Sequence, residues 1–146
     1  MSGSIQEFRK DGYIVSTDKN RLQIEIIHGF LSQSYWAKNR TRQATERALA
    51  HSLCFGMYTE DQQIGFARVV TDFASFAWLA DVFILENFRG RGLAKWLMSC
   101  ILAHSNLQEI RRWVLATRDA KGLYQQFGFI ELHNPERFME IFRSNL

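Results

Sequence analysis

The sequence predicts an α/β (α+β) protein built on a single mixed, mostly antiparallel central sheet flanked by helices. Three observations predict it. Stretches of strand period and of helix period follow one another along the 146 residues in the order strand, helix, helix, three strands, helix, strand, helix, strand, strand. The three middle strands are joined by short polar connections, which makes a meander, whereas Leu85 reaches Arg112 through a helix, which makes a parallel crossover. A 47% apolar composition with 12 Phe, 4 Trp and 4 Tyr supplies a core, and one Pro with 9 Gly argues against long linkers. Residues 1–146 therefore read as one domain, in which Met1–Ser4 is a native start or an expression scar without a role of its own.

The elements can be justified in order. Asp11-Gly12 is a turn signal that leads into a first strand at Tyr13–Ser16. Leu22, Ile26, Ile27, Phe30 and Leu31 recur at helical spacing within 22–33. Thr41 caps a second helix that runs to about His51, with Ala44, Ala48 and Leu49 inward and Glu46 outward. Leu53–Tyr58, Gln63–Thr71 and Phe76–Leu85 form the meander, the last of them apolar except for Asp81. A helix over 92–103 places Leu93, Trp96, Leu97, Cys100 and Ile101 on one side and ends at His104, where an imidazolium suits the dipole. After a strand over 112–117, Asp119 caps a short helix that Gly128 closes, and Phe129–Leu132 and Phe138–Phe142 are the final strands around Pro135.

Composition narrows the classes of function. A formal charge of +3, with bases and acids interspersed, lacks the basic track of a nucleic-acid binder. No apolar run approaches membrane-spanning length and no signal peptide is evident, so a cytoplasmic protein is expected. Cys54 and Cys100 sit in apolar surroundings and read as small buried hydrophobes. His28, His51, His104 and His133 have neither ligand spacing nor a neighbouring nucleophile, and no metal is expected.

The feature that carries chemistry is the junction from Val82-Phe83-Ile84 through Arg89-Gly90-Arg91-Gly92 into Leu93-Ala94-Lys95. Here a strand enters a glycine turn and the turn opens a helix. Glycines let backbone N–H groups approach a ligand closely, and free N–H groups at a helix start attract anions. Arg89, Arg91 and Lys95 add positive charge around them. A nucleotide-hydrolase loop would end in Gly-Lys-Ser/Thr, and a dinucleotide fingerprint would follow the first strand with a third glycine where Lys95 stands. A pyrophosphate with an extended organic tail, laid along the preceding strand, fits better.

Arg89-Gly90-Arg91-Gly92-Leu93-Ala94 resembles the acetyl-CoA-binding motif of the GNAT family of N-acetyltransferases. Glu86 stands where many members have Pro. Ala120-Lys121-Gly122-Leu123-Tyr124-Gln125-Gln126-Phe127-Gly128-Phe129 is similar to the family's second motif, Ala-x-x-Leu/Phe-Tyr-x-x-x-Gly-Phe. The resemblance implies that Val82, Phe83 and Ile84 pair with the pantetheine arm of acetyl-CoA, and that N–H groups from Arg89 or Gly90 through Lys95 hold its pyrophosphate. It also implies a bulge that splays this strand from the next and opens a cofactor cleft. Thr117 stands near the position of an auxiliary Asn that many members carry.

The same resemblance makes Tyr124 the general acid for the leaving thiolate in acetyl transfer to a primary amine. Asp81, an isolated carboxylate in an apolar strand on the side of Leu79 and Phe83, is the candidate base or attractor of a cationic amine, ahead of Glu46. Phe30, Tyr35, Trp36, Phe73, Phe76 and Trp78, with Asp72, are candidate walls of an acceptor pocket suited to a small amine. A peptide acceptor, or an acetyl-CoA sensor without turnover, is the alternative. The chain is expected to act as a monomer or homodimer.

Overall fold

In the computed structural model, which describes residues 4–146, six strands form one sheet in the order β1-β2-β3-β4-β5-β6. Met1–Gly3, within the start set aside above, lie outside the described residues. The strands are β1 (Glu7–Lys10), β2 (Tyr13–Ser16), β3 (Leu53–Thr59), β4 (Gln62–Thr71), β5 (Phe76–Ile84) and β6 (Arg112–Leu115). The helices are α1 (Ile24–Leu31), α2 (Arg42–Ala50), α3 (Leu93–Ala103) and α4 (Lys121–Gln125). All neighbouring pairs are antiparallel except β5 with β6, which the α3 crossover makes parallel. The chain divides into two compact units, one ending at Ala116 and one from Thr117 to Leu146.

Sequence chemistry explains the joints. Asp11 and Gly12 have φ of 53° and 85°, as do Glu60 and Asp61 at 49° and 67°. Two successive positive φ values are the hairpin turn whose twist matches its strands. Thr41 caps α2 by accepting the Ala44 N–H at 3.0 Å. Ile27 and Leu31 of α1 and Leu49 of α2 pack with Cys54, Phe66 and Phe83 of the sheet. Each such large side chain, when fully buried, contributes about 1.5–3 kcal/mol. On α3, Leu97, Met98 and Ile101 are buried, and beyond its end His104 meets Phe55 edge to face at 5.7 Å.

Four expectations are corrected. β1 was not foreseen, because its Glu-Phe-Arg-Lys sequence is mostly exposed and shows no apolar alternation; it is a charged edge strand. No strand follows β6 among the described residues. Phe129–Leu132 and Phe138–Phe142 alternate in sequence, but no ladder pairs them, and Ile130, Met139 and Ile141 are largely exposed. Asp119 does not cap α4: its side chain lies 3.7 Å from Arg118, and the Thr117 hydroxyl accepts the Ala120 N–H instead. His104 is not a solvated imidazolium, since burial lowers its pKa and Nδ1 accepts the Asn106 N–H at 3.1 Å. The remaining nitrogen, Nε2, is buried without a hydrogen-bond partner.

Candidate active site

The site begins with a fault in β5. Along β4, Phe66 pairs with Phe83 while Arg68 pairs with Ala80, so β5 carries one extra residue between them. That residue is Asp81 or Val82, and Asp81 bears the left-handed torsion, φ 56°. The bulge shifts the alternation, so that Asp81 joins Phe83 on the α1–α2 face while Leu79 points to the other; the expected common side for all three is thereby corrected. Pairing with β6 stops at Leu79 opposite Leu115. Beyond it, the β6-facing edge of Val82–Ile84 has no strand partner among the described residues, although the other edge remains laddered to β4 through Phe83 and Ile84. β6 ends there, and on that edge the Ile84 carbonyl accepts Arg89 Nε at 3.0 Å rather than a strand N–H.

The glycine loop lies at the end of this edge. After a 3₁₀ turn at Glu86–Phe88, Gly90 has φ 80° and Gly92, the N-cap of α3, has φ 75°. A Cβ at either glycine would meet nothing within 4 Å, so the requirement is torsional rather than steric. Gly92 offers no capping side chain, and the first helical bond runs from the Trp96 N–H to the Gly92 carbonyl at 3.1 Å. The N–H groups of Leu93, Ala94 and Lys95 therefore lack intrahelical acceptors. Leu93 is buried, so its approach to a ligand is through backbone.

The flanking cations fall into two kinds. Arg89 donates from Nε to the Ile84 carbonyl at 3.0 Å and clasps the loop to β5. Arg91 donates to the Tyr13 hydroxyl at 2.9 Å and lies 5.1 Å from the Phe88 ring centre. Lys95 is exposed on the first turn of α3. An anion with several oxygens fits this set of N–H donors and cations.

On the α1–α2 face, Asp81 is 1% exposed at its side chain and accepts three hydrogen bonds. Trp36 Nε1 donates to Oδ1 at 2.8 Å, and Arg40 Nη1 and Arg68 Nε donate to Oδ2 at 2.8 and 2.9 Å. Burial pushes the carboxyl pKa up, but hydrogen bonds and charge from Arg40 and Arg68 outweigh it and hold it below the usual range. A carboxylate so occupied is a poor proton acceptor, and Glu46, the other candidate base, is paired with Arg42 on the surface. Neither arginine was singled out from sequence. Arg68 had the same signal as Asp81, a charge inside an apolar strand, and opposite charges in neighbouring strands satisfy each other.

The aromatic candidates separate into two places. Phe30 stacks on Phe83 with ring centres 4.1 Å apart and lies 6.3 Å from Trp36, which meets Tyr35 edge to face at 5.1 Å. Tyr35 and Trp36 are partly exposed, and Trp78 is half-buried along β5. Asp72, Phe73 and Phe76 instead form the β4–β5 turn, roughly 25 Å along β5 from the glycine loop. The Asp72 carboxylate accepts the Ser75 hydroxyl at 2.6 Å and the N–H groups of Ala74, Ser75 and Phe76, which lower its pKa. Phe73 lines a cavity of about 460 Å³ with Lys19, His51 and Ser52 at that far end.

In the second unit, Tyr124 is buried on α4, with its ring edge to face with Phe129 at 5.9 Å. Gly128 closes the helix with φ 96°. Both cysteines are buried thiols, whose burial pushes their pKa up, to about 11 for Cys54 and about 12 for Cys100. Among the described residues no group of three or more His, Cys, Asp or Glu could hold a metal ion, and no helix is long and apolar enough to cross a membrane.

Residues 50–131 match the family model of the acetyltransferase (GNAT) domain. The chain belongs to the GNAT acetyltransferase family. A Gibberella zeae protein classed by inference as an acetyltransferase is 31% identical over 140 residues, which is 82% of this chain and 79% of the relative. The crystal structure of a Xanthomonas campestris pv. campestris protein assigned to the GNAT family superposes with a TM-score of 0.90 at 45% identity, over 94% of this chain and 98% of that one. A GNAT acetyltransferase from Elizabethkingia anophelis, crystallised with acetyl-CoA, shares the fold at 15% identity with a TM-score of 0.64, over 94% of this chain and 92% of its own. The mixed six-stranded sheet flanked by helices matches the fold of these GNAT structures.

Proposed function

We propose that this GNAT acetyltransferase moves the acetyl group of acetyl-CoA to a primary amine of a small molecule, both being held at once, and that residues 1–146 act as one catalytic domain. The observation that carries the proposal is the order along the chain: a strand edge at Val82–Ile84 that β6 does not pair, then the glycine loop, then uncapped N–H groups at Leu93–Lys95. That sequence of donors suits an amide-bearing arm followed by a pyrophosphate, which is the chemistry of coenzyme A. Arg91 and Lys95 contribute charge, Arg89 keeps the loop in place, and Thr117, whose oxygen accepts the Ala120 N–H, donates its hydroxyl hydrogen.

When bound, acetyl-CoA supplies an activated acyl group: the amine nitrogen forms the C–N bond, the C–S bond breaks, and of the two protons an ammonium must lose, one goes to solvent and one to sulfur. The protein's part is to hold the acceptor beside the edge and to provide a proton donor. Tyr124 is that donor, on the strength of its place in the second family motif. The amine proton leaves through water, because Asp81 is engaged by three donors. Phe30, Tyr35, Trp36 and Trp78 form the acceptor side, and Asp72 and Phe73 belong to a remote turn.

The test follows thiol release from acetyl-CoA over a panel of amines, with calorimetric binding of acetyl-CoA alongside. Amine-stimulated release that drops in Tyr124→Phe supports the assignment. Saturable binding without release by any amine would mark a sensor, and absence of binding would remove the glycine loop from the site.

A further inference from the structure

The cluster at the bulge has more positive charge than its own structure needs. Arg40 and Arg68 both bind Oδ2 of Asp81, and neither has another ion pair among the described residues. Arg68 spends a second donor on the Ser52 hydroxyl at 3.2 Å. The Arg40 side chain makes a single hydrogen bond, through Nη1, so its Nε and Nη2 have no protein partner among the described residues. Those nitrogens are not buried, since they are absent from the buried unpartnered atoms and the side chain is 23% exposed. Two cations against one anion in a half-buried place leave a net charge of +1. Solvent meets that surplus in the free protein, and an anionic ligand can take the place of the water.

The surplus also has direction. Asp81 pins one end of the Arg40 guanidinium, and Trp36, itself hydrogen-bonded to Asp81 and 41% exposed, flanks the same carboxylate. The open edge of a fixed guanidinium is a planar pair of donors, which matches the two oxygens of a carboxylate. Asp81 immediately precedes the Val82–Ile84 edge, so an anion at Arg40 lies close to the start of that edge. We propose that the acceptor is an amine that also carries a carboxylate, and that Arg40, oriented by Asp81, receives that carboxylate. The inference rests on the transferase reading above and deepens it. The charge it assigns to the pocket is opposite to the one expected from Asp81 alone.

Three forms of one acceptor separate the effects: phenylalanine, phenylalaninamide and phenethylamine, with leucine, leucinamide and isoamylamine as a second set. The carboxylate forms are expected to lead in kcat/KM by about tenfold or more, mainly through KM. Arg40→Gln should narrow that preference, and Arg40→Lys, which keeps the charge but loses the planar fork, should fall between. Thermal unfolding of each variant excludes loss of fold, and acetyl-CoA affinity should be unchanged. Binding of N-acetylphenylalanine against its amide to the coenzyme A complex reads the same contact without turnover, and the acid should bind more tightly in the parent only. Equal or better use of the amides and decarboxylated amines overturns the proposal, as does a variant that weakens all three forms alike. If no acceptor turns over, equal or absent binding of acid and amide overturns it too. Failure of the parent to bind acetyl-CoA would instead strike the transferase reading itself.

Discussion

Gly92 and Asp81 illustrate how single torsions set up this site. Both hold left-handed backbone, one with no side chain and one with a buried charge. Replacing Gly92 by Ala meets no steric obstacle, so the expected effect is the torsional penalty of about 1–2 kcal/mol. If the loop yields instead of paying it in stability, acetyl-CoA binding weakens by roughly tenfold, as titration calorimetry would show. Tyr124→Phe should lower kcat by roughly a hundredfold or more with little change in acetyl-CoA affinity, read by steady-state thiol release. An undiminished kcat would return Tyr124 to a packing role beside Phe129. The glycines and Tyr124 were legible because their motifs are contiguous. Arg40 was not, because what gives it meaning is a partner forty-one residues away in sequence.

The strands and helices show where sequence period is informative. β3, β4 and β5 are buried and were placed to within a residue or two, since each has seven or more residues to display a pattern. β1 is short, charged and at the edge, and there the pattern has nothing to report. The alternation at 138–142 was misleading because alternation alone does not supply a neighbouring strand. Within β5, the Asp81 cluster ties the bulge to α2's approach through Trp36 and Arg40. Asp81→Asn keeps the shape but leaves two arginines without their anion. The expected loss is about 3–5 kcal/mol in urea unfolding. On β3, Gly56→Ala would drive a Cβ into the Tyr58 ring, which lies over it. A loss of about 1–3 kcal/mol should follow, again by urea unfolding.

For the whole chain, two buried titrating groups shape the dependence of stability on pH. His104 is held neutral, with its pKa below the ordinary 6.5. The unfolded chain binds the extra proton first, so stability is full above about pH 6.5 and declines as pH falls toward the folded pKa. Asp81 is held ionised, with its pKa below the ordinary 3.8. Its contribution is present above that value and is lost as pH falls through the folded pKa. Thermal unfolding from pH 8 to 3 should therefore show two successive losses, and His104→Gln should remove the first. A first loss that persists in His104→Gln would assign it to another group. The burial of Asp81 was legible as a charge inside an apolar strand, whereas His104 looked like a helix-end cation, because its burial depends on what the sheet brings to that end. The fold itself was legible because element order, one crossover and two motifs all agreed on it.

The bulge in β5 has a further meaning for how this strand can vary. Phe76–Ala80 and Asp81–Ile84 are two half-strands spliced out of phase by one residue. The opening beside Val82 is thus encoded in the count of residues rather than in the strength of any contact. Substitutions at Asp81 can loosen or tighten the splice, but they leave the two phases as they are. Shortening the chain there by one residue would rejoin them into one regular ladder along β4, with Phe83 still opposite Phe66 and the left-handed residue gone. The bulge is in that sense a frameshift in the sheet, which a deletion removes and a substitution does not.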